Sequence, residues 1–137
     1  MRKMILVFLL MLCVATTASA ANFVEIIRDD SFLVYLDLHS LQDKGDYLTC
    51  WTKWIPRGKE AQQYKNYYKK TVVHQMIISA YKKNTRQKQD IAIYTYFKEG
   101  NYSEDLVRNL TSEGWQDIIP QSYGESVWKV SNSLIKQ

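Results

Sequence analysis

The segment SYGESVWKVSNSLIK, residues 122–136, decides the fold, because it carries the clearest helix signal in a chain of otherwise strand-like runs. Ser122 and Glu125 form a capping box, in which each side chain can satisfy an unpaired backbone amide at the helix start. Apolar side chains then recur at i, i+3 and i+7 and form one stripe: Val127, Val130 and Leu134. We therefore expect a helix from about Tyr123, with its apolar stripe packed on a sheet.

Upstream of this segment, short runs of β-branched and aromatic residues alternate with turn signals, a pattern typical of antiparallel strands. Asp29-Asp30-Ser31 indicates the turn of a hairpin. The predicted strands are Phe23 to Arg28, Phe32 to Asp37, Tyr47 to Trp54, Val72 to Tyr81 and Asp90 to Phe97. The predicted fold class is α+β, an antiparallel β-sheet of about five to six strands with a C-terminal α-helix packed on one face.

Three segments have weaker signals. Residues 59–70 are polar and rich in tyrosine without a clear period, so we expect a long loop that can include a short helical turn. Tyr102 to Leu110 fits either a strand or a short helix. Trp115 to Ile118 is expected to be extended, because Pro120 follows closely.

Residues 1–20 have the pattern of a secretory signal peptide. Arg2 and Lys3 precede an apolar run over 4–14, and the run is followed by the small-residue site Ala-Ser-Ala. We predict cleavage at the end of this site and a single domain over 21–137. The protein is then exported to the periplasm or to the cell surface, with no transmembrane segment after processing.

Two other interpretations of the N-terminus stay open. A retained membrane anchor needs about 20 apolar residues, whereas the run here has eleven. A lipoprotein would be acylated at Cys13, which follows the bulky Leu12 instead of a small residue. Cleavage leaves Cys50 as the one cysteine of the mature chain. It is either a small buried apolar side chain or a thiol available for an intermolecular disulfide.

Basic side chains are concentrated in the middle of the chain, where residues 53–88 hold ten of them and one acid, Glu60. Aromatic rings interleave with these cations, which suits an anionic polymer or an acidic protein patch as a partner. The alternative is a solvated loop whose lysines protect a sheet edge from aggregation. The candidate binding residues are Lys53, Trp54, Arg57, Lys59, Tyr64, Lys65, Tyr67, Tyr68, Lys69 and Lys70.

The sequence contains no recognisable catalytic motif. His39 and His74 are its two histidines, and neither stands in a nucleophile motif or at metal-ligand spacing. A hydrogen-bonded, half-buried imidazole in a strand is the simplest role for His74, since alternation places four residues on one face: Val72, His74, Met76 and Ile78. No glycine-rich phosphate loop and no nucleic-acid-binding motif is present. We expect no catalytic residue, no metal, no cofactor and no nucleic-acid partner.

Four stretches stand in order behind the predicted signal peptide: VYLDLHSL at 34–41, YLTCWTKW at 47–54, YTYF at 94–97 and WQDIIPQSYGE at 115–125. Together they resemble the surface-adhesin protein E-like family of Gram-negative envelope proteins. The resemblance implies an antiparallel sheet with a C-terminal helix packed against it, and binding of host matrix or plasma proteins. Family members often carry one cysteine in the central strand and one in the C-terminal helix, where this chain has Ser79 and Ser131.

Three classes of function follow from these observations. We predict a noncatalytic envelope or surface binding protein, adhesin-like, that binds host matrix or plasma proteins. The second class is a periplasmic interaction or structural factor without a host ligand. The third class is an enzyme, which would require a polar pocket that gathers His39 or His74 with carboxylates.

Overall fold

The computed structural model describes residues 21–136, so the predicted signal peptide and Cys13 lie outside the described residues. The fold is α+β, with one antiparallel sheet of eight strands and two α-helices in this part of the chain. The strands are β1 (Phe23–Arg28), β2 (Phe32–Asp37), β3 (Gln42–Asp43), β4 (Tyr47–Pro56), β5 (Val72–Lys82), β6 (Gln87–Phe97), β7 (Tyr102–Val107) and β8 (Gln116–Asp117). The helices are α1 (Gly58–Tyr68) and α2 (Tyr123–Ile135), and Leu38–Ser40 forms a 3-10 turn.

Six strands lie side by side in the order β1-β2-β4-β5-β6-β7, and all pairs are antiparallel. The two short strands extend this sheet, since β3 pairs with β4 and β8 pairs with β6. The predicted turn between β1 and β2 is confirmed. Asp29 accepts hydrogen bonds from the backbone amides of Ser31 and Phe32, both at 2.8 Å, which is the reason a short acidic residue favours this bend.

Both helices pack on the same face of the sheet, which we call the helical face. The ring of Phe32 on β2 lies 6.3 Å from Tyr64 of α1 and 5.5 Å from Tyr123 of α2, measured between centroids. The hydrophobic core lies between α2 and the strands beneath it, and its buried members are Leu36, Leu48, Cys50, Tyr81, Ile118 and Val127. We call the other side of the sheet the open face, because neither helix covers it.

The predicted C-terminal helix is confirmed, and both side chains of the predicted capping box bond backbone amides, although the Glu125 carboxylate bonds the residue before the N-cap and not the N-cap itself. The hydroxyl of Ser122 accepts a hydrogen bond from the Glu125 amide at 3.3 Å, and the Glu125 carboxylate accepts one from the Gln121 amide at 2.8 Å. Val127 is fully buried, and the other two members of the apolar stripe, Val130 and Leu134, pack against the core. The helix therefore stabilises the sheet through the side that the sequence pattern identifies.

The prediction of a loop over residues 59–70 is wrong, because most of this segment forms α1. Ala61, Tyr64 and Tyr68 are half-buried and stand at i, i+3 and i+7 of this helix. The helix packs on β4 and β5 in the middle of the sheet, and it ends at Lys69 in the left-handed conformation (φ 58°). Tertiary contact with the sheet thus stabilises a helix whose own sequence signal is weak.

The predicted alternation in β5 is also wrong at one position. Val72 pairs with Phe97, whereas His74 pairs with Tyr96, and a β-bulge lies between them. Because Tyr96 and Phe97 are consecutive, their side chains point to opposite faces of the sheet. Val72 therefore belongs to the helical face and His74 to the open face.

The segment 108–115 closes one end of the open face. It is held by the side chain of Gln89, which is 1% exposed. The Gln89 amide nitrogen donates to the Thr111 carbonyl at 3.1 Å, and the Gln89 amide oxygen accepts from the Thr111 backbone amide at 3.0 Å. Farther along the segment, the Trp115 ring packs 5.9 Å from Tyr47. The rest of the open face is left accessible.

Candidate functional site

Five rings form a continuous series on the open face, which we call the aromatic ladder. Trp51 lies 6.1 Å from Tyr94, and Tyr94 lies 6.2 Å from Tyr102, between ring centroids. Tyr102 lies 5.6 Å from Tyr96. Tyr96 in turn stacks on His74 at 4.7 Å with an interplanar angle of 21°. The ladder spans β4, β5, β6 and β7.

Strand register brings these rings together. Tyr94 and Tyr96 are two residues apart on β6, so both point to the open face. Tyr96 lies directly opposite His74 on one side and Tyr102 on the other. Side chains opposite each other in an antiparallel pair have their Cβ atoms about 5 Å apart, which places rings in contact.

Trp51 and the three tyrosines of the ladder line a groove of about 550 Å³, a volume within the range typical of ligand sites. The open face of an antiparallel sheet is usually polar, because it faces water. Here the groove is lined by Ala21, Phe23, Asp37, Trp51, Met76, Tyr94, Tyr96 and Tyr102. A concentration of large apolar side chains on an uncovered face is typical of an interaction surface.

The tyrosines of the two faces differ in their hydrogen bonding. On the helical face, the phenol groups of Tyr64, Tyr68 and Tyr123 donate to Gln75, Asp105 and Asp29. On the open face, the phenol groups of Tyr94, Tyr96 and Tyr102 have no hydrogen-bond partner within residues 21–136. These three hydroxyls can donate to a ligand and also accept from it.

Few charges lie beside the groove. The Lys53 ammonium lies 5.5 Å above the ring of Phe23, and Asp37 accepts hydrogen bonds from the backbone amides of Asn22 and His39. Burial, together with the positive charge of Lys53, lowers the pKa of His74 below its ordinary value of 6.5. The imidazole in the ladder is therefore neutral at pH 7.

The structure separates the ten predicted binding residues. Lys53 lies on the open face, but its neighbour Trp54 is on the helical face, 5.6 Å from Phe32 and 5.7 Å from Tyr123. Arg57 precedes α1 and donates to the Asp29 carbonyl at 2.8 Å. Trp54 therefore lies on the opposite face of the sheet from Lys53.

Tyr64 and Tyr68 point toward the sheet and attach α1 to it through a polar network. The Tyr68 phenol donates to Asp105 at 2.7 Å, and the Tyr64 phenol donates to Gln75 at 3.3 Å. The Gln75 side chain donates to Thr95 at 2.9 Å, and Thr95 donates to the same Asp105 carboxylate. Burial raises the pKa of Tyr68 to about 12, so its phenol stays protonated and able to donate.

The remaining five predicted residues lie along α1 and just after its end, and we call them the basic helix surface: Lys59, Lys65, Tyr67, Lys69 and Lys70. All five are exposed, and the Tyr67 side chain is 80% exposed. None of the four lysines forms a salt bridge with another described residue, although the Lys70 ammonium lies 5.1 Å from the Phe97 ring. Because α1 covers the middle of the sheet, these lysines do not protect a sheet edge.

Sequence reasoning missed the aromatic ladder. The Tyr94-Thr95-Tyr96 alternation and Trp51 were visible as parts of predicted strands. Whether these rings contact one another depends on which strands are neighbours in the sheet. The bulge in β5 also changes the face on which the residues before it lie. Tyr102 lay in a segment whose structure the sequence left open.

Cys50 is the small buried side chain that one of the two sequence interpretations proposes. It is fully buried, and burial raises the pKa of its thiol to about 12. In the described part of the chain, no three side chains of histidine, cysteine, aspartate or glutamate gather where they could hold a metal ion. No helix between residues 21 and 136 is both long and apolar enough to cross a membrane.

Comparison of this chain with protein-family models, with curated proteins and with solved structures found no match. The resemblance to the surface-adhesin protein E-like family therefore stays a prediction.

Proposed function

We propose that this chain is an exported, noncatalytic binding protein of the bacterial envelope or cell surface, adhesin-like in its action. The observation that carries the proposal is the aromatic ladder on the sheet face that neither helix covers. The ligand lies across this open face. The partner is a macromolecule of the host matrix or plasma, as the family resemblance implies.

Physical chemistry favours a binding role for such a surface. Tyrosine and tryptophan have few rotatable bonds, so they supply a large contact area at low entropic cost. The ladder stands on four hydrogen-bonded strands, which hold the rings in place before the ligand arrives. Rigid aromatic residues of this kind dominate the binding energy of many protein interfaces.

A second candidate surface is the basic helix surface, which favours an acidic protein patch or an anionic polymer. The observation that supports it is the set of four exposed lysines without an acidic partner among the described residues. Binding there would be salt-dependent, because exposed charges are screened at high ionic strength. Charge reversal at Lys65, Lys69 and Lys70 should then reduce retention on heparin at low salt, and unchanged retention would exclude this surface.

The proposal is tested by binding to immobilised laminin, vitronectin and plasminogen. A variant with Tyr94→Ser and Tyr102→Ser should lose most of the binding, while Ile119→Ser, at an exposed position between β8 and α2, serves as the control and keeps it. Equal binding by the wild-type protein, the double variant and the control variant would refute a role for the open face. Protease treatment of intact cells then separates a surface protein from the alternative, a periplasmic factor without a host ligand, because only a surface protein is cleaved.

A further inference from the structure

We propose that the open face binds a neutral oligosaccharide, with sugar rings lying on the aromatic ladder and sugar hydroxyls bonded to its phenol groups. This inference rests on the proposed function, since it names the chemical class of ligand for the same surface. The bound sugar is the glycan part of the macromolecular partner.

The shape of the ladder fits a chain of rings. Pyranose sugars have one or two faces made of C–H groups, and these faces pack on aromatic rings by dispersion and exclusion of water. The ladder runs from β4 to β7, and neighbouring strands are about 4.8 Å apart, so it extends over roughly 15 Å. That length accommodates more than one sugar ring.

The unpartnered phenol groups distinguish a sugar from an apolar peptide. Tyr94, Tyr96 and Tyr102 each carry a hydroxyl with no partner in residues 21–136. An apolar side chain pressed on the ladder would take these hydroxyls out of water without replacing their hydrogen bonds, which is unfavourable. A ligand rich in hydroxyl groups replaces those bonds, because each sugar hydroxyl both donates and accepts.

The charged side chains beside the groove favour a neutral ligand. Recognition of phosphate or sulfate polymers uses clusters of lysine and arginine. Beside the groove, Lys53 is accompanied by the carboxylates of Asp37 and Glu104, which lies opposite Tyr94. His74 is neutral at pH 7 and adds no positive charge. A polyanion would therefore meet no net positive charge at the ladder.

The test uses three neutral hexasaccharides that differ in linkage and substitution, namely maltohexaose, cellohexaose and chitohexaose. Each is titrated at up to millimolar concentration into the purified exported protein, and binding is followed by calorimetry and by amide chemical shifts. We expect saturable binding of at least one hexasaccharide, with the shifts confined to β4, β5, β6 and β7. High salt should leave the affinity unchanged.

Two ladder variants and one control separate the outcomes. Tyr94→Ser should weaken binding at least tenfold. Tyr102→Ser, at a position 56% exposed on the outermost strand, should weaken it without any risk to folding. Ile119→Ser, at a position 72% exposed between β8 and α2 and outside both candidate surfaces, should leave the affinity unchanged.

Failure of all three hexasaccharides to bind would overturn the inference, as would binding that both ladder variants retain. The binding assay with matrix and plasma proteins tests the proposed function independently of the sugar assignment. If the ladder variants lose binding to the matrix and plasma proteins while no hexasaccharide binds, the open face is a protein-binding surface and only the sugar assignment is wrong.

Discussion

Replacing Ser131 by cysteine should create a disulfide bond with Cys50 and stabilise the protein. Ser131 is fully buried on α2, and its hydroxyl lies close enough to the buried Cys50 side chain across the core to lower the pKa of the thiol, against the larger effect of burial. The two side chains therefore face each other across the core, which is the first requirement for a disulfide between these positions. The Ser131→Cys variant is expected to oxidise without a large movement of the helix.

The size of the effect follows from the loop that the bond would close. The segment from position 50 to position 131 is about 82 residues long, and loop-closure entropy for this length corresponds to about 4.5 kcal/mol at 25 °C. Strain in the bond lowers this value. For a domain of this size we expect a rise in Tm on the order of 10 °C for the oxidised form over the reduced form.

The assay combines thermal unfolding, with and without reductant, and mass spectrometry of the non-reduced protein. Ser133→Cys is the matched control, because Ser133 lies on the exposed side of the same helix. The control should show two thiols, one titratable in the native state, and no difference in Tm on reduction. If the Ser131→Cys variant still has two free thiols after exposure to an oxidant, the reasoning is refuted, since α2 would then not hold position 131 over Cys50.

Two further predictions concern stability. Gly114→Ala should lower the free energy of unfolding by about 1–3 kcal/mol in urea denaturation, because a Cβ at this position would clash with the side-chain amide of Gln89, which two hydrogen bonds hold in place. An unchanged free energy of unfolding would mean that segment 108–115 is not clamped as described. The pKa of His74 is lower in the folded protein than the ordinary value of 6.5. As the pH falls through about 6.5, the unfolded chain therefore takes up the proton before the folded protein does, and the free energy of unfolding decreases. His74→Gln should therefore show a weaker loss of stability between pH 7.5 and pH 5, measured as the urea midpoint, and an identical pH profile for the two proteins would show that His74 is not held neutral.

Local patterns predicted much of the fold. The hairpin turn at Asp29 and the helix start at Ser122 each depend on hydrogen bonds between a side chain and a backbone amide a few residues away, so the sequence alone encodes them. Alternating apolar runs likewise predicted the long strands. The α+β class followed from these local signals.

Helix α1 could not be predicted in the same way. The half-buried Ala61, Tyr64 and Tyr68 form a helical stripe, but tyrosine and alanine are also common at exposed positions. What stabilises the helix is the network that joins Tyr64 and Tyr68 to Gln75 and Asp105, which are distant in sequence. The same contacts remove two tyrosines from the predicted binding surface.

The sequence by itself determined where the chain turns, which runs are extended and where the final helix begins, because each of these depends on interactions within a few residues. Only the tertiary structure decided that both helices share one face and that the aromatic ladder occupies the other. Strand order and the bulge after Val72 fix which side chains meet, and both result from the packing of segments distant in sequence.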